Sequence, residues 1–119
     1  AFYCRSSGLA VPLRCDDVGA IARGLHIQRQ LGYPGGALIV NPIDENTALP
    51  EELIEAAIRD ALEVAAKAGI GGKDVTPFLL ARIVELTNGR SVDANVSLVL
   101  SNARLAAEIA VASAALGAA

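Results

Sequence analysis

The chain has no methionine and no tryptophan, and only two phenylalanines, two tyrosines, two cysteines and one histidine in 119 residues. Each scarcity excludes something. So few aromatic side chains leave little to stack on bases, and a net charge of −3 provides no basic stripe for a phosphate backbone. Nucleic acid is therefore not an expected partner. A lone histidine, His26, cannot form a histidine pair, so a histidine-based metal site has no support. It stands between Arg23 and Arg29 and reads as solvated or structural. Cys4 and Cys15 lack metal-site spacing and read as small apolar residues. A disulfide between them gains little support in a chain with no secretory pattern, and a cytoplasmic location is expected. Asp93, Arg104 and Glu108 interrupt the last apolar stretch, and its final uncharged run is short for a bilayer, so no membrane partner is expected. The missing methionine, with Ala1 leading straight into Phe2-Tyr3, suggests an internal or C-terminal piece of a longer chain.

What is present reads first as α/β. Ala1 to Cys4 is a short apolar run of strand type. Arg5-Ser6-Ser7-Gly8 follows it, and such a strand end can grip an anion or be a plain solvated turn. Arg5 and Ser7 are weak phosphate candidates on that ground. Val11 to Cys15 is a brief extended segment. Asp16 or Asp17 then caps a helix running to about Leu31, with Gly32 as its stop. Tyr33-Pro34-Gly35-Gly36 is a turn, and Ala37-Leu38-Ile39-Val40 reads as a strand buried on both faces. Strand, helix, strand at this spacing implies a parallel pair with a right-handed crossover. Asn41 then falls at a strand's carboxyl end, where such sheets bind ligands, although it can equally close the turn before Pro42.

The second half reads as helical. Pro50 opens a helix with Glu51 and Glu52 in its first turn, an apolar stripe of Leu53, Ala56, Ala57, Ala61, Leu62, Val64 and Ala65, and Gly69 beyond its end. Gly71-Gly72-Lys73 lacks the rest of a Walker pattern. Thr76 is a good N-cap with Pro77 at the first helical position, and Phe78, Leu79, Ile83, Val84 and Leu86 form the apolar face. Asn88-Gly89 ends that helix, and Ser91 caps a longer one. Asn95 and Asn102 are seven residues apart and share a face of this last helix, among Leu98, Val99 and Ala106. An unpaired buried amide costs about 1–3 kcal/mol, so both need partners. Those partners can be structural, at a helix contact, or a polar ligand. No nucleophile–base pair and no two-carboxylate arrangement stands out.

The run Thr76-Pro77-Phe78-Leu79-Leu80, then Glu85-Leu86-Thr87, Gly89, Asn95, Leu98-Val99 and Asn102-Ala103-Arg104-Leu105-Ala106 closely resembles the pseudouridine-5′-phosphate glycosidase family, also called indigoidine synthase A-like. Phe2-Tyr3, Arg5-Ser6-Ser7-Gly8, Gly35-Gly36 and Asn41-Pro42 match it as well. One departure is Ser101, where members often carry a second asparagine.

The resemblance implies a layered α/β/α fold, with two parallel strands and flanking helices followed by a helical C-terminal segment. Residues 1–119 would be the C-terminal part of a single domain. It implies reversible cleavage of the carbon–carbon glycosidic bond of pseudouridine 5′-phosphate to uracil and ribose 5-phosphate. The family works through a lysine imine and a carboxylic acid, with a divalent metal, typically manganese (Mn2+), in a homotrimer. The lysine, the acid and the metal ligands belong to motifs upstream of this chain. Neither Lys67 nor Lys73 matches the lysine motif, and no metal site is expected here. Asn95 is the expected catalytic and base-binding asparagine, with Asn102 and Thr76 as further substrate-binding candidates. An amide, both donor and acceptor, suits the edge of uracil. Two other readings stay open. One is a non-catalytic fragment or truncated paralogue that acts only in packing and subunit contacts. The other is a generic phosphosugar-binding module.

Overall fold

Asp17 starts the first helix by giving its carboxylate to two backbone N–H groups, those of Gly19 and Ala20, each at 3.0 Å. These bonds, from Gly19 and then Ala20, hold the carboxyl below its ordinary value. The cap's contribution is therefore present at neutral pH and is lost as pH falls through that lowered value. In the computed structural model, which describes residues 3–6 and 8–117, the elements are α1 (Val18–Gln30), α2 (Glu51–Lys67), a short 3-10 turn (Gly72–Asp74), α3 (Val75–Leu86) and α4 (Arg90–Gly117).

The chain divides into two compact units. The first is formed by the start of the chain to Gly8 with Pro42–Leu98, and holds the main core. Ile54 and Ala57 of α2, Ile83 of α3 and Ala94 and Leu98 of α4 pack with Tyr3, Cys4 and Ile43. α3 lies along α2, and Arg82 of α3 ties the pair by donating to Asp60 of α2 at 3.0 Å and to Glu85 at 3.0 Å. On α2 the buried stripe is Ile54, Ala57, Ala61 and Ala65, at helical spacing. Ala56 and Leu62, expected on that stripe, face outward.

The turn between α3 and α4 is made by Thr87, Asn88 and Gly89. Asn88 and Gly89 adopt left-handed φ values of 51° and 80°, as the Asn-Gly pair predicts. Thr87 is fully buried. Its hydroxyl donates to the Ile83 carbonyl at 2.7 Å, accepts the Ser91 N–H at 3.2 Å and lies 3.0 Å from the Ser91 hydroxyl. Thr87, not Ser91, is therefore the residue that satisfies an N-terminal donor of α4, which already begins at Arg90. Thr76 likewise is not a cap. A 3-10 turn runs into α3, which begins at Val75, so Thr76 is an exposed residue of the first turn.

The second unit comprises Leu9–Asn41 and the chain from Val99 onward. It contains α1, which ends at Gln30 with Gly32 at φ 65°, an extended segment, and the later turns of α4. Gln28 donates to the Gly35 carbonyl at 2.7 Å, folding the turn back on α1.

The α/β expectation is overturned: among the described residues there is no strand, and the class is all-helical. Ala37–Val40 has no regular secondary structure, and it is not buried on both faces. Leu38 is 90% exposed and Val40 58%. A continuous apolar run reports a preference for burial, but only a second edge turns extended backbone into a strand. Ala1 and Phe2 of the other expected strand lie outside the described residues. Its remaining residues, Tyr3 and Cys4, form a buried bend in which the Tyr3 carbonyl accepts the Leu49 N–H at 2.8 Å. The parallel pair and its crossover are therefore absent among the described residues. α4 also differs from expectation. Taken whole, its 28 residues are long and apolar enough, by length and composition alone, to cross a membrane. Its first turns are committed to the core of the first unit through Ala94 and Leu98.

Replacing Thr87 with Val keeps the shape but leaves the Ser91 N–H buried without its acceptor. This variant is expected to lose about 1–3 kcal/mol of stability. Urea denaturation of the purified protein measures it, and an unchanged midpoint would show that the junction does not depend on the hydroxyl.

Candidate functional site

In the second unit, one polar side chain reaches sixty residues along the chain. Asn41, half-buried at the end of the extended segment, uses its amide nitrogen to reach α4, donating to Ser101 Oγ at 2.9 Å and to Asn102 Oδ1 at 3.1 Å. The segment after Gly36 ends beside α4, where neighbouring positions 101 and 102 both present oxygens. Asn41 and Asn102 border a shallow hollow of about 380 Å³, walled by Ile39, Leu105, Ala106 and Ile109. Such a site has polar atoms at its rim and hydrocarbon for its wall, and it contains no charge. Such a lining can offer hydrogen bonds at its rim and apolar contact at its wall.

The other candidates lie apart from this cluster. Asn95 belongs to the first unit, where it is half-buried on α4, and its amide makes no hydrogen bond to the described residues. Thr76 is exposed. Arg5 gives Nη1 to the Ile43 carbonyl at 2.6 Å, so its guanidinium helps hold the loop after Asn41. Ser7 lies outside the described residues. Lys67 pairs with Glu63 one turn away at 2.5 Å, and Lys73 sits in the exposed 3-10 turn.

Sequence reasoning singled out Asn41 and Asn102 separately and did not join them. It noted Ser101 only as a departure from a family pattern. The signal that could have joined them is weak: an asparagine ending an apolar run and a polar pair on a helix, with nothing in the order of residues to say that they meet.

Among the described residues, no group of three or more His, Cys, Asp or Glu side chains is close enough to hold a metal ion. The acidic residues of α2 face outward, Glu55 toward Arg59 and Glu63 toward Lys67. The described residues therefore do not fit a divalent metal, and no chemical step is assigned to one here.

The chain belongs to the indigoidine synthase A-like protein family, whose model matches residues 1–112. Among curated relatives it is 54% identical, over 112 residues, to a pseudouridine-5′-phosphate glycosidase of Paracoccus denitrificans (strain Pd 1222). That match covers 94% of this chain and 37% of the relative. It is 48% identical to the protein of the same name from Escherichia coli (strain K12), over 92% of this chain and 35% of that one. Among solved structures it is similar to the prealnumycin C-glycosynthase AlnA, crystallised in complex with ribulose 5-phosphate. The TM-score there is 0.89 at 37% identity, covering 99% of this chain and 39% of that chain. The chain thus spans little more than a third of the length of the relatives it matches.

Both cysteines are free, Cys4 buried and Cys15 exposed. Burial pushes the Cys4 thiol up, and nearby Glu51 adds to the shift, so Cys4 stays protonated through neutral pH. Titration with a disulfide reagent near pH 8 is expected to label Cys15 within minutes and Cys4 only after denaturation. Equal rates for the two thiols in the native protein would contradict the buried placement of Cys4.

Proposed function

We propose that the protein containing this chain is a pseudouridine-5′-phosphate glycosidase. In this reading it reversibly cleaves the carbon–carbon bond between C1′ of the sugar and the base, giving uracil and ribose 5-phosphate. The observation that carries the reading is the near-full coverage of this chain by relatives of that name at about half identity. A C-glycosynthase with a five-carbon sugar phosphate bound, at TM-score 0.89, supports the same class of bond chemistry.

Because the bond joins two carbons, there is no oxygen leaving group to protonate. A lysine nitrogen bonded to C1′ of the opened sugar solves this. As C1′–C5 breaks, the nitrogen lone pair forms the imine, and the electron pair of the broken bond passes to the base. A carboxylic acid places a proton on C5 before the bond breaks, the electron pair then restores the ring's C5–C6 double bond, and water releases ribose 5-phosphate from the imine. The lysine, the acid and the manganese site are assigned to parts of the protein outside this chain. A homotrimer and a cytoplasmic location complete the proposal. Exposed apolar side chains along α4, among them Val92, Val96, Val99 and Leu100, support assembly with other copies.

Within this chain, Asn95 is the residue assigned to the base. Its half-buried amide has no partner among the described residues, so its donors are free for a carbonyl that gains charge in the transition state. Thr76 is exposed on the first turn of α3 and is the weaker of the substrate-binding assignments.

Asn95→Ala in the complete enzyme is expected to lower kcat for pseudouridine 5′-phosphate by about 100-fold, the usual scale for removing one such donor. The KM for ribose 5-phosphate in the synthetic direction should change little. Steady-state assays in both directions measure this, and near-normal turnover would remove Asn95 from the site.

A further inference from the structure

Asn88 is followed by Gly89, whereas Asn41, Asn46, Asn95 and Asn102 are followed by Pro42, Thr47, Val96 and Ala103. Glycine has no Cβ to crowd its nitrogen, so an Asn-Gly pair is the one in which a main-chain nitrogen most readily attacks the preceding side-chain amide. Asn88 is exposed, so water reaches that amide.

The fold opposes the attack in two ways. The Gly89 N–H donates to the Val84 carbonyl at 2.9 Å and the Asn88 N–H to the Glu85 carbonyl at 3.1 Å, the paired bonds that close a helix on a left-handed residue. Attack needs the Gly89 nitrogen free of its proton, and the bond to Val84 keeps that proton in place. Asn88 also stands at φ 51°. In the left-handed region the next residue's nitrogen lies opposite the Cβ about the Cα–C bond, and closing a five-membered ring needs the two on the same side.

We propose that Asn88 is a latent deamidation site, closed while the turn between α3 and α4 is folded and opened when that turn unfolds locally. In the opened turn the Gly89 nitrogen gives up its proton and bonds to Asn88 Cγ. The bond from Cγ to Nδ2 breaks, and ammonia leaves with the proton that Gly89 lost. Water then opens the cyclic imide at either carbonyl and leaves aspartate or isoaspartate at position 88. In isoaspartate the main chain runs through Cβ and is one atom longer, so the bonds from positions 88 and 89 back to α3 cannot both re-form. The change is therefore a one-way record of how often the junction has opened.

Incubation of the complete protein near pH 8, followed by peptide mapping for aspartate and isoaspartate at position 88, tests this. Native wild type is expected to convert more slowly than the same protein unfolded in guanidinium chloride, by roughly tenfold or more. Thr87→Val loosens the junction without touching the reacting atoms. It should raise the native rate by roughly threefold or more and leave the unfolded rate unchanged. Equal rates in native and unfolded wild type overturn the proposal, as does a folded Thr87→Val protein that converts at the wild-type rate. Should Thr87→Val fail to fold, wild type in guanidinium chloride below its unfolding transition carries the test. Conversion must rise with denaturant there, and a flat rate up to the transition is equally fatal.

Discussion

The buried hydroxyl of Thr87 is the contact on which the first unit depends. Two helices meet at a tight turn, and a tight turn leaves carbonyls at the end of one helix and N–H groups at the start of the next. Ile83, Thr87 and Ser91 are buried here, so water does not readily reach the groups between them. One hydroxyl does so from both sides, donating to Ile83 of α3 and accepting from Ser91 of α4. The left-handed Asn88 and Gly89 bring the chain round in the space this allows. Once the junction is set, Ile83 and Ala94 can face the same core as Ile54 and Ala57 of α2.

The core built on that junction is small-grained. Alanines at 57, 61 and 65 make the buried stripe of α2, so α3 can lie close against it, and the larger side chains Ile43, Ile54 and Ile83 fill the remainder. Arg82 reinforces the α2–α3 pair at its edge by pairing with Asp60 and Glu85. These ion pairs are partly in water, so their role is to select the register of two helices more than to hold them together. Considerable apolar surface remains outside this core, Leu38 on the extended segment and Val111 on α4 among it.

The polar side chains around α4 differ in how far they are engaged. Thr87 and Ser91 are buried and fully engaged. Asn95 and Asn102 stand on α4 with donors left over, Asn95 with no partner among the described residues and Asn102 with its oxygen held by Asn41.

Helix ends were legible in the order of residues, because a cap or a stop is a local matter. Asp17, Gly32, Pro50, Gly69 and Asn88-Gly89 all act where they stand. The family, too, could be read from the chain, since its motifs are local runs in a fixed order. Local rules misassigned two caps, Thr76 and Ser91. The deciding features were a 3-10 turn entering α3 and a threonine at the end of the preceding helix. The strands could not be read at all. Ala37–Val40 has the composition of a strand, but a strand exists only through a neighbour's hydrogen bonds, and none is present among the described residues. The meeting of Asn41 with Ser101 and Asn102 is of the same kind. Sequence by itself determined the family and most of the helix ends; tertiary structure decided which distant side chains meet, because a contact across sixty residues depends on the path of the whole chain between them.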